Sequence, residues 1–179
     1  SPSRGLGDVY KRQMLARAVC AGILSRGVNV LDLGIVATPT AMLTVEKKNA
    51  LGGIMISASH NPAEWNALKL VSHDGSFLDV TMMTSFLNSI SEESQGNHAP
   101  WDQLGSYQSE ENASDTHVKE ILDLSVLDLQ RLRKRKFKVA LDCVRGAGGV
   151  IMPLLLEALG CEVVAIHTEV DGKFPRDPE

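Results

Sequence analysis

The chain has 179 residues, 44% hydrophobic and 22% charged, with a formal net charge of -4 at pH 7. That length suits one ordinary domain, or one small domain and part of a second, and the composition is that of an average globular protein. The acidic balance argues against nucleic-acid binding, which usually needs a basic face. No apolar run approaches the ~18 residues a membrane span requires, and no signal-peptide pattern is present. Cys20, Cys143 and Cys161 lie in apolar runs, which predicts reduced, buried thiols in a cytoplasmic protein and no disulfide framework. The five histidines lack metal-ligand spacing, so no zinc site is expected.

Residues 1–13, SPSRGLGDVYKRQ, carry no apolar period and read as a disordered tail, or as a translated linker foreign to the gene. From Met14, apolar residues at Leu15, Val19 and Ile23 recur at helical spacing up to Gly27. Val28–Val36 is short and β-branched, a strand. Thr38-Pro39 opens a second helix, with Thr38 as N-cap, Pro39 in the first turn and Lys47 and Lys48 in the last. Gly52-Gly53 ends it, and residues 53–57 form the next strand. Residues 67–71 are another strand, closed by the turn His73-Asp74-Gly75. Asp79 then caps a helix with Met83, Phe86, Leu87 and Ile90 on one face.

The polar stretch 91–115 reads as a long connection between domains. A helix is expected from Thr116 to about Lys134, then a buried strand over Phe137–Cys143, the glycine loop VRGAGG, and a helix over Ala147–Leu159 that contains Pro153. Gly160 ends it, and CEVVAIH is a final strand. The alternation of strands and helices predicts an α/β fold with parallel pairing and helices covering the sheet.

The segment IMISASHNP (Ile54–Pro62) runs from an apolar strand into two small hydroxyl residues, a histidine and an asparagine, with Pro62 starting a helical turn. Unpaired N–H groups at such a turn favour negative charge, so a phosphate on Ser59 would be stabilised there. His60 and Asn61 add a titratable donor and a neutral amide. The plainer alternative is that Ser57, Ser59 and Asn61 only cap and turn the chain. A Ser–His pair for acyl transfer lacks the G-x-S-x-G elbow. Lys69, in a strand that can run beside the first, is a candidate proton carrier, or simply a surface lysine. VRGAGG matches neither G-x-G-x-x-G nor a P-loop, and tight turning explains it equally well. The run Arg131–Lys136 is read as ordinary helix-end charge.

GGIMISASHNPAEWNALKL (Gly52–Leu70) resembles the active-site segment of the α-D-phosphohexomutases, and SASHNP is most similar to the members acting on glucosamine phosphate. MLARAVCAGILSRGVNVLDLGIVATPT is similar to the first domain of that family, and VALDCVRGAGG with DGKFPRDPE to the opening of its second. The resemblance implies a three-layer α/β/α first domain with a mixed sheet over residues 14–112, followed by the truncated start of a similar second domain over 113–179. It implies an enzyme that moves phosphate between the 6- and 1-positions of a hexose phosphate, primed by a sugar bisphosphate activator. Ser59 is the implied phosphate carrier and, through that phosphate, a Mg²⁺ ligand. His60 and Asn61 match positions that shape the site, and Asn66 and Lys69 match the ends of the family's N-G-x-K segment, with Lys69 as acid/base. Here that segment reads Asn66-Ala67-Leu68-Lys69, which requires a negative φ at Ala67. The resemblance also places the magnesium loop, the sugar-selecting loop and the last, phosphate-gripping domain outside this chain, so the 179 residues alone are expected to be inactive. A non-catalytic α/β binding module is the alternative of another class. Such a module would have no need of Ser59 and Lys69 together.

Overall fold

The computed structural model describes residues 4–57, 66–92 and 98–176. Two compact units emerge, one of Tyr10–Asp32 with Met42–Glu110, the other of Ser1–Val9, Leu33–Ala41 and Glu111–Glu179. The elements in chain order are α1 (Arg4–Leu24), β1 (Val30–Asp32), α2 (Thr38–Lys47), β2 (Gly52–Ser57), β3 (Ala67–Ser72), α3 (Val80–Glu92), β4 (Tyr107–Ser109), α4 (Ala113–Leu122), α5 (Leu129–Arg135), β5 (Lys138–Asp142), α6 (Gly148–Ala158) and β6 (Glu162–Ile166). The α/β class holds. Among the described residues the strands form three pairs, β1–β4 and β5–β6 parallel and β2–β3 antiparallel, so both pairing senses occur where alternation alone predicted parallel strands.

Helix α1, which belongs to the first unit from Tyr10 onward, begins at Arg4, ten residues before the apolar period starts at Met14. Lys11, Arg12 and Gln13 are strong helix formers and extend the helix upstream from the apolar stretch, whereas its first turns include Gly5 and Gly7, which propensity alone disfavours. It closes at Gly27, whose φ is 77°. Strand β1 covers only three of the nine residues expected, because Gly34 at φ 63° turns the chain directly after it. Its partner β4 lies in the stretch read as a connection. All three β4 residues are exposed, and their strand state is imposed by their partner: Val30 N–H donates to Ser106 O at 2.8 Å, and Glu110 N–H to Asp32 O at 2.8 Å. Tyr107 Oη donates to Asp32 at 2.6 Å, which pushes the phenol pKa up.

Helix α2 ends at Lys47, and Asn49 just beyond it takes the left-handed region, φ 49°, ahead of the glycine pair expected to stop it. Val45 of α2 and Val71 of β3 are buried, and both lie beside Gly53 of β2. The β3 turn is held by Asp74, whose Oδ1 accepts from Ser76 N–H at 3.0 Å and Ser76 Oγ at 2.7 Å. Asp79 caps α3 as expected, accepting from Met82 N–H at 2.7 Å. The apolar face of α3 is not covered: Phe86, Leu87 and Ile90 are all exposed.

In the second unit, the single helix expected over 116–134 is two helices. Asp128 starts α5 by accepting from Arg131 N–H at 2.9 Å, and that capping option competes with continuing the first helix through it. Strand β5, crossover helix α6 and strand β6 form a βαβ unit, with register Val139↔Val163 and Leu141↔Ala165. Arg133 donates through Nε and Nη2 to Ala158 O, at 3.1 and 2.9 Å, and so satisfies the last turn of α6. Thr40, Ala41, Ala113, Ser114, Val118, Cys143 and Ile151 are buried here. Thr40 Oγ1 lies 2.9 Å from His117 Nδ1. The three thiols are free, but only Cys143 is buried; Cys20 and Cys161 are half-buried.

Beyond β5 and β6 the chain is tied by side chains. Asp142 accepts from Val144 N–H at 2.9 Å and from Arg176 at 3.0 Å, and lies 3.0 Å from His167 Nδ1. Arg145 grips Asp171 with two nitrogens, Nε at 2.8 Å and Nη2. Val144, Arg145 and His167 all take positive φ, 44°, 59° and 51°, and the cross-links hold them there. Gly149 permits the return segment to pass: a Cβ there would lie 2.4 Å from Thr168 O.

The Arg145 hydrogen bond, with smaller help from Lys173 N–H, lowers the Asp171 pKa from 3.8 to about 2 against the opposing effect of burial. A carboxyl with a depressed folded pKa binds fewer protons folded than unfolded, so its contribution is present above about pH 4 and is lost as pH falls toward 2. Asp142, also lowered, acts in the same direction. Urea unfolding followed from pH 5 to pH 2 should show stability falling through this window, and Asp171→Asn should flatten the fall. An unchanged pH slope in Asp171→Asn would remove the ion pair from the account.

Candidate active site

Strand β2 carries the apolar run Ile54-Met55-Ile56 to Ser57 at its carboxyl end, and β3 returns antiparallel beside it. The register pairs Ser57 with Ala67, Met55 with Lys69 and Gly53 with Val71. Directly opposite residues share a face, so Ser57, Met55 and Gly53 lie on the same side as Ala67, Lys69 and Val71. Val71 on that side is buried. Lys69 is half-buried at the open end, diagonal to Ser57, a separation of about 7–8 Å between Cα atoms. An extended lysine side chain spans much of that distance. The structure therefore brings Lys69 to the end of the strand that leads into the serine segment.

Ser59, His60 and Asn61 follow Ser57 by two, three and four residues and lie outside the described residues. The hairpin fixes the two ends of their segment, Ser57 and Asn66. Ala67 is a strand residue and is not among those with positive φ, so alanine fits where the resembling families carry glycine. Asn66 stands at the amino end of β3 with both amide atoms, Oδ1 and Nδ2, buried and without a hydrogen-bond partner among the described residues. Leaving a buried amide unpaired costs about 1–3 kcal/mol, a cost that marks the position as one awaiting a partner.

The glycine loop is organised differently from a phosphate cradle. Its left-handed residues are Val144 and Arg145, whereas Gly146, Gly148 and Gly149 are not, and the Arg145 guanidinium is engaged by Asp171 with Glu169 4.0 Å away. The Asp142–His167–Arg176 cluster beside it was not legible as a unit, because the residues are up to 34 positions apart: the β5–β6 register brings Asp142 beside His167, and the segment after β6 brings Arg176 back. Among the described residues no group of three His, Cys, Asp or Glu is placed to hold a metal ion. No helix among them is long and apolar enough to cross a membrane.

Two domain families match the chain in order. "Phosphoglucomutase/phosphomannomutase, alpha/beta/alpha domain I" matches residues 10–97, and the corresponding domain II matches residues 115–179. A "Probable phosphoglucosamine mutase" of Methanococcoides burtonii is 36% identical over 168 residues, 93% of this chain and 36% of the relative. A "Phosphoglucomutase/phosphomannomutase" of Thermococcus kodakarensis is 34% identical over 168 residues, with the same two coverages. The crystal structure of a phosphoglucomutase/phosphomannomutase family protein from Burkholderia thailandensis superimposes with a TM-score of 0.69 at 26% identity, covering 90% of this chain and 34% of that one. The chain thus spans roughly a third of the length of the relatives it matches, 36% for the two curated ones. Consecutive domains matched in their family order, together with relatives similar along nearly all of the chain, establish that it belongs to the phosphoglucomutase/phosphomannomutase family.

Proposed function

We propose that this chain is the serine-bearing part of a phosphohexomutase that interconverts hexose 6-phosphate and hexose 1-phosphate, with glucosamine phosphate as the substrate. Residues 14–112 form its first domain and 113–179 the start of its second. The observation that carries the reading is the β2–β3 register, which sets Lys69 on the same face as the strand end that leads to Ser59. A relative described as a phosphoglucosamine mutase supports the choice of sugar, while the Thermococcus relative supports phosphoglucomutase or phosphomannomutase specificity as the second reading.

In this reading Ser59 carries the phosphoryl group as its ester. A sugar hydroxyl attacks phosphorus, the Ser59 Oγ–P bond breaks as the sugar O–P bond forms, and the proton of that hydroxyl passes by way of Lys69 to the departing Ser59 oxygen, which leaves as the free hydroxyl. The resulting sugar bisphosphate turns and returns its other phosphoryl group to Ser59 by the reverse sequence. Such transfer depends on positioning and on neutralising charge on the moving group, and a lysine on the strand next to the serine, cationic while it holds the transferred proton, serves both. His60, Asn61 and Asn66 shape the site around the phosphate, the buried amide of Asn66 finding its missing partner there. The family implies Mg²⁺ held through the phosphate on Ser59. One such donor falls short of the near-octahedral oxygen set that magnesium demands, and no acidic cluster among the described residues completes it.

Phosphopeptide mapping of the protein, extended to the length of its relatives, should place phosphate on Ser59. Phosphate on Ser57 or another hydroxyl would refute the assignment. In the same protein Lys69→Ala should lower turnover by about two to four orders of magnitude with the fold retained. Normal turnover in that variant would reduce Lys69 to a surface charge.

A further inference from the structure

We propose that Gly53 of β2 and Val45 of α2 are a positioning pair for the reactive serine, an inference that rests on the phosphoserine reading above. A Cβ built on Gly53 would fall 2.7 Å from Val45 Cγ2 and 3.5 Å from Val71 Cβ. The first distance is closer than real Cβ contacts come, so one of the atoms has to move. Neither neighbour yields readily. Val45 and Val71 are 7% and 3% exposed, and a β-branched residue in a helix has one strongly preferred rotamer. Gly52 repeats the demand toward β3, where its Cβ would meet Val71 O at 2.8 Å. Strand β2 therefore lies against α2 and β3 at distances that only residues without a Cβ permit.

The consequence is carried along the strand. Gly53, Met55 and Ser57 share one face, and six backbone pairings from Gly52↔Ser72 to Ser57↔Ala67 hold β2 to β3 over its whole length. A strand lifted from α2 at Gly53 takes its carboxyl end with it, and Ser59 follows Ser57 by two residues. Neither Gly53 nor Val45 belongs to the reacting groups. Their effect is on where the serine stands relative to the sugar, and misplacement by about 1 Å costs phosphoryl transfer on the order of 100-fold.

The test uses the protein extended to the length of its relatives, with Gly53→Ala alone and with Gly53→Ala plus Val45→Ala. Readouts are kcat and KM for glucosamine 6-phosphate, phosphate on the Ser59 peptide, and the thermal midpoint. Gly53→Ala is expected to lower kcat by about 100-fold while KM stays within about twofold. Adding Val45→Ala removes the carbon that the new Cβ meets, and should recover most of the lost kcat. A pair with only a structural role would lower the thermal midpoint and leave the kcat of the folded enzyme unchanged. That result, or a loss of kcat that Val45→Ala does not relieve, overturns the proposal. If Gly53→Ala fails to fold, the double variant decides: recovered turnover supports the pair and absent turnover overturns it. A wild-type protein that turns over without phosphate on Ser59 overturns the phosphoserine reading itself, and the wild-type arm identifies that case.

Discussion

The antiparallel register of β2 and β3 is the constraint on which the rest of the site depends. Side chains alternate across a strand, so the pairing of Met55 with Lys69 decides which face the lysine occupies. Slipping by one residue would send Lys69 to the opposite face, across from Ile54 or Ile56, and send Leu68 and Leu70 to the face it left. What prevents the slip is burial on one side: Val71 and Val45 are both buried beside Gly53, and neither position accepts a charge. The chemistry of the site thus rests on an apolar contact at its far end.

The second unit shows the same logic with charges in place of methyl groups. The parallel pairing of β5 and β6 brings Asp142 and His167 to one end, and Asp142 then reaches forward to Arg176. Arg145 takes a left-handed backbone that β-carbon crowding disfavours, and its two bonds to Asp171 offset that cost. This end of the sheet is filled by the protein's own ions. The glycines of the loop serve close passage of the chain, as at Gly149, and the cation in the loop is already committed.

Much of this was legible in the sequence, for reasons that can be named residue by residue. Asp79 capping α3, Pro153 inside α6, and the strands β2, β3, β5 and β6 were readable because their signals are local: a carboxylate ahead of a helical period, or a short β-branched run. Strand β4 was not, because Tyr107-Gln108-Ser109 becomes a strand only through hydrogen bonds to a partner some 77 residues away. The length of α1 was missed because the apolar period stops at Met14 and Gly5 and Gly7 argue locally against a helix, although Lys11, Arg12 and Gln13 favour one. At the site, the motif singled out the residues but gave no distances between them. The diagonal placement of Lys69 and the unpaired amide of Asn66 are products of register and burial, which composition does not encode.

The register is open to direct measurement by cross-strand disulfides, in a background with Cys20, Cys143 and Cys161 replaced by alanine. Directly opposed residues in an antiparallel pair have Cα atoms about 4.5–5.5 Å apart, within the span a disulfide bridges. Met55→Cys with Lys69→Cys should oxidise to an intramolecular bond under mild conditions, whereas Met55→Cys with Leu68→Cys should remain reduced, since those side chains point to opposite faces. A bond between positions 55 and 68, with none between 55 and 69, would show the strands one residue out of step. Lys69 would then stand on the wrong face, and the account of the site would be contradicted.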